Sequence, residues 1–211
     1  MASAPADGGV LTSELLGRME EMAREGDVSV ASIVEVAGSR AHAVVLVILA
    51  LPEALPLPVA GMSTLLGIPL MILATHLAAF GSKQGIPAGI ARRKLPARLV
   101  RLVAGKAAPI MRWLEKLSRP RWLALARRER LLALVCLLLA FVVALPIPLG
   151  NLPPAACLLA IALGMVQRDG MLVAVGLAGT AALAGASFLA ADTILNWVTG
   201  GSPDASADVT R

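Results

Sequence analysis

Four side chains stand where a mostly apolar chain has little reason to put them, and their types suggest what could be done there. Glu53 lies in "LPEALPLPVAG", Asn151 in "ALPIPLGNLPP", and Arg168 and Asp169 in "VQRDG". Ionisable groups at membrane depth are costly and therefore mark function by default. The Glu53 carboxylate could respond to protons, could repel or coordinate part of a charged substrate, or could simply pair with Arg40 or Arg168; the sequence leaves these open. A guanidinium such as that of Arg168 grips a phosphate through two donors. Arg168 and Asp169 also fit a simpler role as a charged stop before a turn at Gly170. The Asn151 amide can satisfy backbone groups freed by the neighbouring prolines, a structural role that competes with substrate contact. These four residues are the candidate substrate-binding set. His76 reads as a packing histidine rather than a proton relay, and Ser63 and Thr64 as donors to nearby carbonyls.

No spacing in the chain supports an enzyme. There is no Gly-rich phosphate loop, no Ser/His/Asp set at a recognisable spacing and no Tyr at all. Cys136 and Cys157 lie in apolar runs without CxxC or Cys/His spacing, where a thiol acts as a small hydrophobe. We therefore expect no catalytic residue, no metal and no cofactor.

The elements that must position these residues follow from composition. Hydrophobic residues make up 57% of the 211 and charged ones 16%, and mean hydropathy is +0.78, beyond the roughly 45–50% apolar content of soluble domains. The expectation is an all-α integral membrane protein. The first ten residues lack the basic and apolar regions of a signal peptide, so internal segments are expected to drive insertion, with the N-terminus in the cytosol. Residues 1–40 read as cytoplasmic helices. One runs from Thr12 to Arg24, with Leu15, Leu16, Met19 and Met22 on one side; a second has Asp27 as its N-cap and Val30, Ile33, Val34 and Ala37 on one face.

Residues 41–81 form a first apolar block. A hydrocarbon core of about 30 Å needs about 20 helical residues, whereas the arm from Ala41 to Leu51 is 11 residues long before Pro52, Pro56 and Pro58 break it. Residues 131–170 repeat the pattern: an arm from Leu131 to Leu145, a break from Pro146 to Pro154 that includes Pro148, and an arm from Ala155 to Val166. Leu55-Pro56-Leu57-Pro58 aligns with Leu145-Pro146-Ile147-Pro148 at an offset of 90 residues, which makes the two blocks a pseudo-repeat. Broken backbone at membrane depth needs cover from protein or water, so the blocks read as two Pro-broken hairpins, re-entrant in form. The alternative is ordinary membrane helices kinked by Pro and Gly.

Residues 171–198 are long enough to cross a membrane outright. Ala174, Ala178, Ala182, Ala186 and Ala190 recur every four residues, a smooth stripe that lets a second helix approach, within the chain or across a homo-oligomer. The tail, 199–211, is polar and expected to be disordered.

Charge sets the orientation. From Lys83 to Arg130 there are 14 Lys/Arg against two acids, Glu115 and Glu129. Basic loops stay in the cytoplasm, so residues 82–130 are expected on that side. There Ile110, Trp113, Leu114 and Leu117 make one face of an interfacial helix that grips membrane lipids of the anionic cytoplasmic leaflet. Nucleic acid is the rejected reading of this basic block, since it sits between two apolar ones.

Four ordered motifs, "ALPEALPLPVAGMSTLLGIPL" from Ala50, "RPRW" from Arg119, "ALPIPLGNLPPA" from Ala144 and "ALGMVQRDG" from Ala162, together resemble the ExoD family of bacterial exopolysaccharide-synthesis membrane proteins. The resemblance covers roughly Gly26 to Gly170. It implies a multi-pass protein of the bacterial inner membrane that supports exopolysaccharide synthesis or export, and it carries over no catalytic residue. The paired broken hairpins also look like DedA-type membrane proteins, which are associated with moving lipid carriers; that likeness is architectural. The leading expectation is movement of a polyprenyl phosphate, or a related lipid-linked sugar phosphate, between leaflets. The alternative is a scaffold or regulator of the polysaccharide machinery.

Overall fold

The computed structural model describes residues 12–54, 62–82, 84–98, 100–101, 105, 126, 128–145 and 150–198, and for 12–16 and 62–65 the backbone only. The described elements are α1 (Thr12–Glu25), β1 (Val28–Ser29), α2 (Val30–Ala37), a 3-10 turn (Gly38–Arg40), α3 (Ala41–Ala50), α4 (Met62–Phe80), α5 (Ala88–Ala91), β2 (Lys94–Leu95), α6 (Glu129–Ala144), α7 (Leu152–Gln167) and α8 (Gly170–Val198). The interfacial helix around Trp113, the tail, and the prolines Pro56, Pro58, Pro146 and Pro148 lie outside the described residues.

The head departs from expectation at its cap. Ser29, not Asp27, caps α2: its Oγ accepts from the Ser32 backbone N–H at 3.0 Å. Asp27 is used elsewhere, its Oδ1 accepting from the Ala97 N–H at 3.1 Å. Beside it β1 pairs antiparallel with β2, Val28 opposite Leu95 and Ser29 opposite Lys94, and the Val30 N–H continues the ladder to the Arg93 carbonyl at 3.0 Å. Among the described residues this short ladder is the exception to an otherwise helical fold. It ties the N-terminal helices to the start of the basic segment. Met19 and Ala23 of α1 and Val30, Ile33 and Ala37 of α2 are buried as the helical spacing requires.

The first arm is longer than eleven residues in effect, because α2 runs through the 3-10 turn into α3 and gives a continuous apolar stretch, Val30–Ala50. All ten residues of α3 are buried. A helix covered on every side has no polar face to show, which is why its sequence lacks amphipathic spacing. In the second hairpin the break closes sooner than expected. Pro153 and Pro154 stand in the first turn of α7, where a missing N–H has no helical partner to lose.

The helices pack as two pairs, α3 with α4 and α6 with α7, set against each other reciprocally. Between the pairs, α4 lies along α6 and α3 along α7. Exchanging the two pairs maps this pattern of contacts onto itself. The closest approach is at Gly67 of α4, where an added Cβ would stand 2.7 Å from the Cα of Ala144. Next, α8 folds back on α7: a Cβ on Gly164 would meet the Val173 backbone N at 2.8 Å, and one on Gly176 the Cys157 carbonyl oxygen at 2.9 Å.

Within the chain the alanine stripe is not the face of α8 that packs. α8 meets α7 through Val173 and Gly176, whereas Ala178, Ala182, Ala186 and Ala190 are exposed, as is every residue from Ala184 to Val198. The outward faces are themselves apolar. In α6, Leu132, Ala133, Cys136 and Leu139 face inward, while Leu131, Leu134, Leu138 and Phe141 are all more than half exposed. A helix apolar on both faces suits a bilayer rather than water. Two stretches, Val30–Ala50 and Gly170–Val198, are long and apolar enough to cross one.

Gly67→Val should lower stability by about 1–3 kcal/mol by forcing α4 off α6. Gly185→Ala, at a helical site with nothing within 4 Å, should be neutral or stabilising by up to about 1 kcal/mol. Thermal melts of the two variants in detergent check the contrast.

Candidate functional site

The arm ends away from the proline breaks converge. The 3-10 turn and the start of α3, the C-terminal end of α4, the start of α6 and the end of α7 together line one cavity of about 260 Å³. Its polar walls are Ser39, Arg40, His42, Ser82, Glu129 and Arg168, with Leu77 and Met165 among the apolar ones. Each polar group has a local reason to be at an arm end, where charged residues flank apolar helices. Glu129, in the first turn of α6, also complements the positive end of that helix.

Arg168 is held in an unusual way. α7 ends in a Schellman motif: the Asp169 N–H donates to the Gly164 carbonyl at 2.9 Å and the Arg168 N–H to that of Met165 at 3.4 Å. The motif needs a left-handed residue, and Arg168 takes that place with φ 54 and ψ 34. Among described residues it is the one non-glycine at positive φ. Glycine is usual there because a Cβ in this conformation costs about 1–2 kcal/mol. Arg168, itself exposed, thus lines the cavity from the end of α7. Asp169 does structural work: it is buried, and its Oδ1 accepts from the Met171 N–H at 2.8 Å, capping α8.

On the α3 side His42 is 3% exposed. Its ring stacks on His76 with centroids 5.7 Å apart and planes 8° from parallel, and His76 in turn meets Phe80 at 5.0 Å. His76 thus packs against two rings, yet among the described residues neither its Nδ1 nor the Nε2 of His42 has a hydrogen-bond partner. Arg40 and Arg168 lie close enough for their charges to act on each other, and Glu129 and His76 act on His42.

The four sequence candidates fall into two groups. Arg168 and Asp169 are at the cavity end. Glu53, half-buried in the turn after α3, is at the other end of that helix from Arg40, about 20 Å away by helical rise. Asn151 is likewise at a break. Its Nδ2 donates to the carbonyls of Val143 at 2.9 Å and Leu145 at 3.0 Å, so the amide holds the end of α6 against the start of α7. Pro52 is buried beside Glu53. For Ser63 and Thr64 only the backbone of α4 is described. Sequence reasoning missed Ser39, His42, Ser82 and Glu129 as neighbours of Arg168, because no motif links positions so far apart along the chain. Among the described residues no cluster of three or more His, Cys, Asp or Glu could hold a metal ion.

Comparison with known proteins gives a family and one relative. The family described as "Exopolysaccharide synthesis, ExoD" matches over residues 12–189. An uncharacterized protein of Synechocystis sp., slr1875, is 25% identical over 170 residues, covering 79% of this chain and 80% of that protein. No solved structure matches.

Asn151→Ala should destabilise by about 1–3 kcal/mol, since it leaves two carbonyls unsatisfied in an apolar setting. Arg168→Gly should do the opposite and stabilise by about 1 kcal/mol through relief of the left-handed strain. Chemical or thermal unfolding of the purified variants reads both signs.

Proposed function

The chain belongs to the ExoD family and so to exopolysaccharide synthesis, and from that premise we propose that it is a non-enzymatic, multi-pass protein of the bacterial inner membrane that carries a polyprenyl phosphate or related lipid between leaflets. The observation behind this reading is the two helix pairs, α3 with α4 and α6 with α7, packed reciprocally and meeting at one end around a polar cavity, with the sequence's proline-rich breaks at the other. Interrupted segments at matching positions of two halves are where transporters place their binding sites. The basic segment connects the open ends of the hairpins, from Ser82 to Glu129, so the cavity faces the cytoplasm under the positive-inside rule. The breaks, with Glu53 and Asn151, then point toward the opposite leaflet. Apolar outward faces such as Leu131, Leu134, Leu138 and Phe141 support a lipid environment. Glu53 supplies a carboxylate at the far end of the path, where a phosphate must be released rather than held.

A second reading is a scaffold for the polysaccharide machinery. It is favoured by the outer half of α8, whose Phe188, Leu189, Ile194 and Trp197 are all strongly exposed. Glu53 separates the two.

Purified protein in liposomes with a fluorescent polyprenyl-phosphate analogue should move the probe to the opposite leaflet, and Glu53→Gln should slow that movement by about tenfold or more, a loss equivalent to at least ~1.4 kcal/mol. Equal rates for wild type and variant would remove Glu53 from the path. No protein-dependent movement by the folded wild type would leave the scaffold.

A further inference from the structure

We propose that the cavity at the open ends of the hairpins is a binding site for one phosphate-type anion, held by the guanidiniums of Arg40 and Arg168 with His42 as a further ligand. The inference deepens the carrier reading and rests on it for the membrane orientation. Three independent features of the cavity lead to it.

First, the fold brings two like charges to one small space. Arg40 and Arg168 come from the two different hairpins, at the start of α3 and the end of α7, and both line the cavity. Arg40 feels the charge of Arg168. Packing alone gives no reason for that, since the helix ends could carry neutral residues. Among the described lining residues Glu129 is the negative one, beside Arg40 and Arg168. An anion between the guanidiniums turns a repulsion into two attractions.

Second, Arg168 occupies the left-handed position where glycine would serve the helix end better. Strained backbone of this kind persists where the side chain is needed, and the inference runs from that outlier to a use. Third, the Nε2 of His42, on a residue 3% exposed, lacks a partner among the described residues. A buried polar atom left unmade is costly, so a ligand that engages it recovers that cost. The hydroxyls of Ser39 and Ser82 complete the polar wall.

The donor set selects the ligand's class. Arginine has five N–H donors and no acceptor, so two of them exclude a metal cation. One guanidinium fork already matches a carboxylate; two forks from different helices match a tetrahedral group with more oxygens to offer. At about 260 Å³ the cavity is smaller than the roughly 300–1,000 Å³ of pockets that enclose drug-sized ligands. It takes a phosphate and its ester link, and leaves any attached chain outside against apolar surface. A lipid headgroup and a free phosphate share this chemistry.

The test is calorimetric titration of the purified full-length protein in detergent. The probes are inorganic phosphate and dihexanoyl phosphatidic acid, with dihexanoyl phosphatidylcholine as the zwitterionic control. Wild type should bind a phosphate probe saturably, and both Arg168→Gly and Arg40→Gln should weaken it by about tenfold or more, the loss expected for a charge-assisted hydrogen bond. Glu129→Gln should tighten it, which no purely structural role for these residues predicts. Arg168→Gly is the decisive variant because it should melt no lower than wild type, so lost binding cannot be lost folding. Tighter binding of phosphatidic acid than of phosphate assigns the lipid source; equal binding of the two assigns the free anion. No saturable binding of either probe, or binding by Arg168→Gly equal to wild type, overturns the proposal. Saturable binding without leaflet transfer in liposomes would end the carrier reading and leave the site, whereas transfer without saturable binding would end the site and leave the carrier.

Discussion

The architecture depends on how closely its helices can approach with almost nothing between them. At Gly67 against Ala144, at Gly164 against Val173 and at Gly176 against Cys157, a single added Cβ would fall within 3 Å of a neighbour's atoms. In a bilayer the hydrophobic effect does not drive helices together, because lipid tails are as apolar as leucine; close packing and hydrogen bonds must do it instead. Glycine at these three points therefore does what a leucine core does in a soluble domain. It sets α4 on α6 and α8 on α7, and those contacts bring the arm ends to one place.

Broken helices add a second demand. Every carbonyl freed at a break needs a partner where water is scarce. Asn151 meets that demand at the end of α6 with two hydrogen bonds from one amide nitrogen, and Asp169 meets the matching one for N–H groups at the start of α8. Polar residues that look like candidates for chemistry are thus partly accounted for by the backbone. Arg168 is different: its backbone closes α7, but its side chain type works against that closure.

The consequence is a division of labour between the two ends of the hairpins. The break ends carry Glu53 and Asn151, the amide Nδ2 of Asn151 serving two backbone carbonyls there. The open ends gather Arg40, His42, Glu129 and Arg168 around a cavity in which charges of the same sign face each other.

The sequence by itself determined the segmentation. Proline chemistry and helical periodicity are local, so the ends of α1, α6 and α8 and the interruptions near Pro52 and Pro146 were legible from neighbours in the chain, and four ordered motifs carried the family. Local rules also misled. Asp27 fits an N-cap as well as Ser29 does, and only the pairing of β1 with β2 decides between them. Which face of α8 packs within the chain is likewise not a local matter: α8 turns Val173 and Gly176, rather than the alanine stripe, toward α7. The meeting of Arg40, His42, Glu129 and Arg168 belongs to tertiary structure alone. No periodicity connects residues that far apart along the chain; their distance in space is set by how four helices stack, and that depends on every contact between them at once.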